Sequence, residues 1–320
     1  MPIGRAITMT VLAASLLASL APHVTAQEGA AAATPDIFRE ALHRHRPVYK
    51  FDSGEDYFPL RVNAITNNPG NRLETVFGEQ IAERHDDGSG LNITYLRAGK
   101  YPNGDSVADD DTLVERHGFF DPDGDYRDDA RALQHNSKLF NRTYGRVIPV
   151  RADGDVVGAW LQYWVFYYYN SFHKGPIGKH EGDWEMIQIR LNYQAQPLFA
   201  VYAQHTAGSV CAWDAMERAG SKQNRPVVYV GGGSHASYFT SGTHNIKDVP
   251  GGDEADGNGW WDSSTRLRVV GNSSPRWVNW PGYWGGTRGF TASPKGPKFQ
   301  GKWSDPQGFL DDVGDDKACK

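Results

Sequence analysis

The stretch that most restricts the fold runs from Ala159 to Asn170 and reads Ala-Trp-Leu-Gln-Tyr-Trp-Val-Phe-Tyr-Tyr-Tyr-Asn. Successive side chains of a strand point to opposite faces, so this segment carries large aromatic groups on both. Two aromatic faces both need cover, which places the strand at the centre of a sheet. The competing reading is a sugar-stacking surface. Leu161, Val165 and Phe166 interleave with the Tyr and Trp residues and favour core, leaving some Tyr hydroxyls to reach a cleft at the strand end.

Further aromatic or β-branched runs, at residues 48–51, 92–96, 145–150, 185–191, 198–204, 226–230 and 267–270, lie between clusters of Gly, Pro, Asn and Asp. This spacing predicts an all-β fold, an antiparallel β-sandwich. With 36 Gly and 18 Pro the connections are long, and from Gly257 onward they hold Trp260, Trp261, Trp277, Trp280, Trp284 and Trp303. Those rings are expected to plug the end of the sandwich beneath irregular chain, the alternatives being sugar stacking or a membrane interface. Thr34-Pro35-Asp36 supplies an N-cap, a proline at the first helical position and an acid in the first turn, predicting a short helix over 37–43. Helical periodicity elsewhere is confined to 128–135 and 213–219, too little for alternating βαβ units. Residues 34–320 are therefore expected to form one β-sandwich domain, preceded by a flexible linker at 27–33.

Residues 1–26 read as a secretory signal, with Arg5 at its start, an apolar run from Ala6 to Leu20 and the small-residue site Val24-Thr25-Ala26. A secreted or periplasmic protein is expected. No later segment has the roughly 20 apolar residues of a membrane helix. The two cysteines, Cys211 and Cys319, are expected to pair in an oxidising compartment, two free thiols being the alternative. A net charge of −5 and the absence of Lys/Arg clusters argue against nucleic acid or anionic lipid as partner.

The chemistry-bearing residues gather in Gly178-Lys179-His180-Glu181-Gly182-Asp183-Trp184-Glu185 and just beyond. Alternation puts Asp183 and Glu185 on one face with Ile187, Ile189 and Leu191, so two carboxylates continue an apolar row. Buried carboxylates are costly without a cation, a proton or strong donors. Of the eleven histidines, His173, His180, His205, His235 and His244 share this part of the chain, and His205 and His235 follow strand-like runs. If those strand ends coincide, His180, Asp183, Glu185, His205 and His235 converge as a candidate site for a divalent ion. Mixed imidazole and carboxylate donors suit Zn, Mn or Fe, while carboxylate and water suit Ca or Mg. Two alternatives remain: an acid/base set without metal, or side chains each separately satisfied by backbone and salt bridges.

Several motifs are excluded by the residues. His180-Glu181-Gly182-Asp183-Trp184 lacks the second histidine of a helical zinc site. Gly232-Gly233-Ser234-His235-Ala236 approximates a nucleophile elbow, but Ala236 replaces the last glycine and no acid lies between Ser234 and His244. Asp121-Pro122-Asp123-Gly124-Asp125 resembles the start of a calcium loop, although its glycine comes too early and Ala132 stands at the twelfth position. It is a candidate structural Ca²⁺ site or a solvated acidic turn.

The stretch from Arg46 to Pro59, the 161–170 strand, His180 to Glu185, Tyr229 to Tyr238, and Trp280 to Gly289 with Gly296-Pro297 together resemble the vacuolar protein sorting-associated protein 62 family. Locally, Gly178, His180, Asp183, Trp184 and Glu185 are similar to the Gly-His-Arg-His-Asp-Trp-Glu heptapeptide of necrosis-inducing cytolysins. That resemblance implies a β-sandwich and a divalent cation held by Asp183, Glu185 and His180. It departs at Gly182, where the heptapeptide has a histidine directly before the aspartate.

The expected function is a secreted divalent-cation-binding β-sandwich that recognises a glycan or lipid head group, with the ion meeting sugar oxygens and Trp or Tyr rings the apolar faces. The alternative is a metal-assisted hydrolase or lyase on an extracellular polymer, using Asp183, Glu185 and His235 as catalytic groups, with His235 or His205 as base. A structural or adhesive module is the third reading. The sequence carries no indication of oligomeric state.

Overall fold

A computed structural model describes residues 36–115, 125–172, 179–204, 207–245, 251–263, 265–286, 293–313 and 319. The expected signal peptide, the 27–33 linker and most of the 121–125 acidic loop lie outside the described residues, as do His173 and His205.

The aromatic strand spans Asp155–Asn170 and is central, as expected. It lies within a six-stranded sheet ordered Leu267–Val269, Thr143–Ala152, Asp155–Asn170, His180–Asn192, Pro197–Gln204, Ala207–Ala212. Its long ladder to His180–Asn192 is antiparallel, from Gly158 opposite Asn192 to Asn170 opposite His180. Both faces are buried. Leu161, Tyr163, Val165, Tyr167, Ile187 and Ile189 pack on one side against Phe38 and Leu42 of the Asp36–Arg44 helix and against Tyr49, Phe51, Val228 and Val230. Trp160, Trp164, Phe166, Trp184 and Met186 pack on the other against Trp277, Trp280, Trp284 and Trp303.

The second sheet covers the first of these faces. It pairs Val48–Phe51 with Arg225–Val230 in parallel and with Trp261–Asp262 antiparallel, and Ser237–Tyr238 adds to Arg225–Val230. A third sheet of three short strands, centred on Arg72–Glu74, lies off the opposite face. The fold is therefore mostly β with several mixed sheets, which corrects the purely antiparallel sandwich. The two parallel pairs, the first-sheet one joining Leu267–Val269 to Thr143–Ala152, link segments far apart in sequence, beyond the reach of local strand patterns. Helix is also more abundant than expected: Asp125–Gln134 extends the 128–135 signal, and Pro306–Val313 packs near the sheet through Phe309. Residues 92–96 form a turn, and 213–219 a turn leading into the Arg218–Ala219 strand.

The C-terminal Trp residues behave mainly as the expected plug. Trp184 stacks on Trp277 at 5.7 Å and meets Trp284 edge-on at 5.3 Å, and Trp284 also meets Trp280 at 5.6 Å. Trp261 is the exception, with about half its surface (55%) in solvent. Cys211 and Cys319 form the expected disulfide, closing the chain's end onto the Ala207–Ala212 strand.

Gly182 fixes how the His180–Asn192 strand enters the sheet. It has φ +58°, in the left-handed region, and a side-chain Cβ there would stand 1.6 Å from the Trp284 carbonyl oxygen. Neither the backbone of residue 284 nor the conformation can yield cheaply. Gly182→Ala is expected to lower stability by about 3 kcal/mol or more, a size associated with combined backbone strain and core overpacking. Urea denaturation followed by Trp fluorescence checks this; an unchanged midpoint would show that this contact is not rigid.

Candidate functional site

The site forms where the long strands end. Asn170 closes the aromatic strand and Asp183 lies three residues into its neighbour; Asn170 Nδ2 donates to Asp183 Oδ2 at 2.9 Å and to the Ser234 carbonyl at 3.3 Å. The 231–236 turn is thereby tied to the strand ends. Gly233 (φ +74°) and His235 (φ +59°) give the turn its shape, and the backbone N–H groups of Ser171 and Phe172 donate to the Gly233 carbonyl. An imidazole in the left-handed region is uncommon and needs enclosing contacts to hold it there.

Those contacts are charged. His235 has no exposed surface; its Nδ1 lies 2.9 Å from Asp183 Oδ2 and its Nε2 3.5 Å from Glu55 Oε2. Tyr167 stacks flat on the imidazole, with ring centroids 3.7 Å apart. Burial alone would favour the neutral ring, but the two carboxylates outweigh it and raise the His235 pKa to about 10. The ring is therefore favoured in its protonated form: Nδ1–H donates to Asp183, while Nε2 faces Glu55 at a distance too long for a hydrogen bond. Glu55 is fixed in turn by the N–H groups of Gly233 (2.7 Å) and Tyr57 (2.7 Å).

Glu185 lies two residues along the same strand and is buried. Burial first, and then the Asp183 charge, push its carboxyl well above the ordinary range, opposed in part by Lys302 and His235. Burial likewise lowers the Lys302 pKa, opposed by Glu185 and Asp183. Nearby, Asp253 accepts hydrogen bonds from the hydroxyls of Ser234 and Tyr238, the latter at 2.8 Å. This serine serves to hold an acid, in line with the excluded nucleophile elbow.

Of the five expected metal-site residues, the fold joins Asp183 directly to His235 and keeps Glu185 within their electrostatic reach. His205 lies outside the described residues. His180 Nδ1 stands 2.8 Å from the Gly182 carbonyl, so Nδ1–H is the donor and, in the neutral ring, Nε2 carries the lone pair. Among the described residues, no three His, Cys, Asp or Glu side chains stand together as a ready metal site. The contacts divide the two described histidines: His235 faces a carboxylate from each ring nitrogen, whereas His180 meets backbone carbonyls through Nδ1.

Sequence reasoning missed Glu55, Tyr167, Asn170 and Glu181. Asn170, a polar end to an aromatic strand, was the legible signal among them. Glu181 is buried beside the strand and accepts from the backbone of Glu115 (3.0 Å) and Gly286 (2.8 Å); burial raises its carboxyl pKa to about 7.

The fold and site together define a mostly β protein whose doubly covered sheet ends in a buried carboxylate–imidazolium network. Residues 161–302, which include most of the Asp155–Asn170 strand and all of His180–Asn192, match the family described as vacuolar protein sorting-associated protein 62. Two Saccharomyces cerevisiae proteins are similar. One, named TDA6, is 25% identical over 79% of this chain and 61% of its own length; the other, vacuolar protein sorting-associated protein 62, is 27% identical over 49% of this chain and 42% of its own. The chain thus spans less than two thirds of either relative. Two solved structures, described as a "toxin fold for microbial attack and plant defense" and as "NLPPya in complex with mannosamine", each align with 88% of this chain and 92% of their own. Their identities are 11% and 9%, and both TM-scores are 0.40. No residue role passes to this chain at such values.

His235 gives a signed pH dependence. Its folded pKa lies above the unfolded value of about 6.5, so its contribution to stability is fully present below that pH and is lost as pH rises towards 10. Stability should fall through this window with a slope of up to about 1.4 kcal/mol per pH unit, the value for one proton. His235→Gln should be destabilised by about 3–5 kcal/mol at neutral pH, through loss of the buried partner, and should lack that slope. Denaturation at stepped pH measures both; equal slopes in the two proteins would remove His235 from the account.

Proposed function

We propose that the protein is a secreted binding module that recognises a glycan or glycolipid head group with the help of a divalent cation. The observation that supports the cation is the placing of Asp183 and Glu185 two residues apart on one strand, both buried, where the Asp183 charge and burial oppose ionisation of Glu185. His180 Nε2, Asp183 and Glu185 would hold the ion, with His205 a further candidate. The ion would supply a hard contact for sugar oxygens.

Binding is favoured over turnover because His235, one of the two expected bases, is enclosed between Asp183 and Glu55. A surface suited to a sugar face lies around Trp261, which is largely exposed with Lys50 Nζ 5.4 Å from its ring. Lys50 also bonds Glu217 at 2.8 Å, and Glu217 accepts from Tyr229 at 2.6 Å, so an aromatic face is bordered by polar donors and acceptors. Export would follow from the signal-like residues 1–26, and the disulfide is consistent with it.

Elemental analysis of the purified protein should find a divalent metal near one equivalent, and a glycan array should give binding that a chelator abolishes. Asp183→Ala should weaken that binding at least tenfold, and Trp261→Ala should weaken it with the metal content unchanged. Metal-free protein that binds the same glycans with and without chelator would sink the proposal.

A further inference from the structure

The fold assembles a basic groove that the sequence conceals. Arg97, Ala98, Lys100, Arg276 and Asn279 line a groove of about 360 Å³, joining the loop after the 92–95 turn to the short Arg276–Asn279 helix. Three of the five lining residues are cations and none is an acid, in a chain whose net charge is −5. Among the described residues, no carboxylate forms an ion pair with Arg97, Lys100 or Arg276.

Two contacts set the geometry of the wall. Arg97 Nε donates to the Thr94 carbonyl at 2.7 Å, which anchors the guanidinium through one N–H while its terminal N–H groups remain as donors. Lys298 Nζ donates to Asn279 Oδ1 at 2.5 Å and to the Asn272 carbonyl at 2.8 Å. Because an ammonium only donates, it must meet the amide oxygen, and the Asn279 NH₂ is left as the group that can serve a ligand. The polar groups of the wall are thus donors and positive charge, set among the aliphatic stems of Arg97, Lys100 and Arg276 and the Ala98 methyl.

We infer that this groove binds a saccharide carrying an oxyanion, a sulfate or a carboxylate. Guanidinium groups pair with such planar or trigonal oxygens through parallel N–H bonds, and the lysine adds a point charge. A bare ion would leave most of the space empty, since a water-sized species occupies roughly 30 Å³. The lining divides between polar tips and the aliphatic stems of its long cationic side chains, and a hydroxylated ring, with polar edges and apolar faces, meets both. Nucleic acid fits less well: three cations in one pocket match one or two charges rather than a tracked backbone, and no exposed aromatic ring lines the groove for base stacking. The groove shares no residue with the Asp183 network, so the inference does not rest on the cation.

Isothermal titration of the full chain at low salt tests this, with a heparin-derived hexasaccharide, a galacturonate hexamer, a neutral maltohexaose, inorganic sulfate and phosphatidylglycerol vesicles. One of the two acidic oligosaccharides should bind, weakening as salt rises towards physiological strength, and maltohexaose should not. The double variant Arg97→Gln/Arg276→Gln should lose at least tenfold in affinity with an unchanged melting temperature. Asn279→Ala should lose severalfold, and Asp183→Ala should bind as the parent does, which separates this site from the proposed cation site. Any of four results overturns the inference: equal affinity in the double variant, sulfate binding as tightly as the oligosaccharide, binding to the vesicles alone, or no binding by any acidic probe.

Discussion

Everything at this end of the central sheet depends on one charge held out of water, His235 between Asp183 and Glu55. Its three members come from the long central ladder, the 231–236 turn and the segment following the Val48–Phe51 strand. A buried cation with two carboxylates is costly to assemble, and breaking it leaves charges uncompensated, so it acts as a register lock more than as a source of net stability. The lock explains the left-handed backbone at His235, because the turn must carry the ring inward beneath Tyr167.

The sheet supplies the setting for that ion. Its two faces are closed by different means: a second sheet and the Asp36–Arg44 helix on one side, irregular chain rich in Trp on the other. Irregular chain can seal a sheet only if its own backbone finds partners, and this one does so through the sheet. Gly286 N–H donates to Glu181, and Trp284 packs against Gly182 where no side chain fits. The same stretch therefore forms the cover of one core and positions the strand that carries Asp183.

What the sequence disclosed follows the range of the interactions. Period and composition located the central strand, most of its neighbours and the first helix, because those signals are local. Asp183 stood out as an acid on an apolar row, and His235 as a residue after a strand and a glycine turn; both belong to the network. Glu55 did not stand out, since it lies in an ordinary Ser53-Gly54-Glu55-Asp56 turn and matters only through a contact across the fold. The parallel pairing of Val48–Phe51 with Arg225–Val230 was hidden for the same reason. The grouping of Arg97 with Arg276 is a third case: a search for runs of Lys and Arg finds nothing when the cations come from distant loops.

His235 also changes what a cation would have to do at this end of the sheet. A metal ligand must offer a lone pair, and the His235 ring faces a carboxylate on each side. On the proposed reading the ligand would be His180, whose Nδ1–H is taken by the Gly182 carbonyl. Gly182 thereby links the two histidines' separate tasks. Its left-handed conformation brings its carbonyl to His180 and lets residues 183–185 enter the ladder with Asp183 facing His235. On the proposed reading, one imidazole would orient a lone pair towards the ion while the other stays charged and holds Asp183 in place, so the carboxylate would not have to be ordered when the ion arrives.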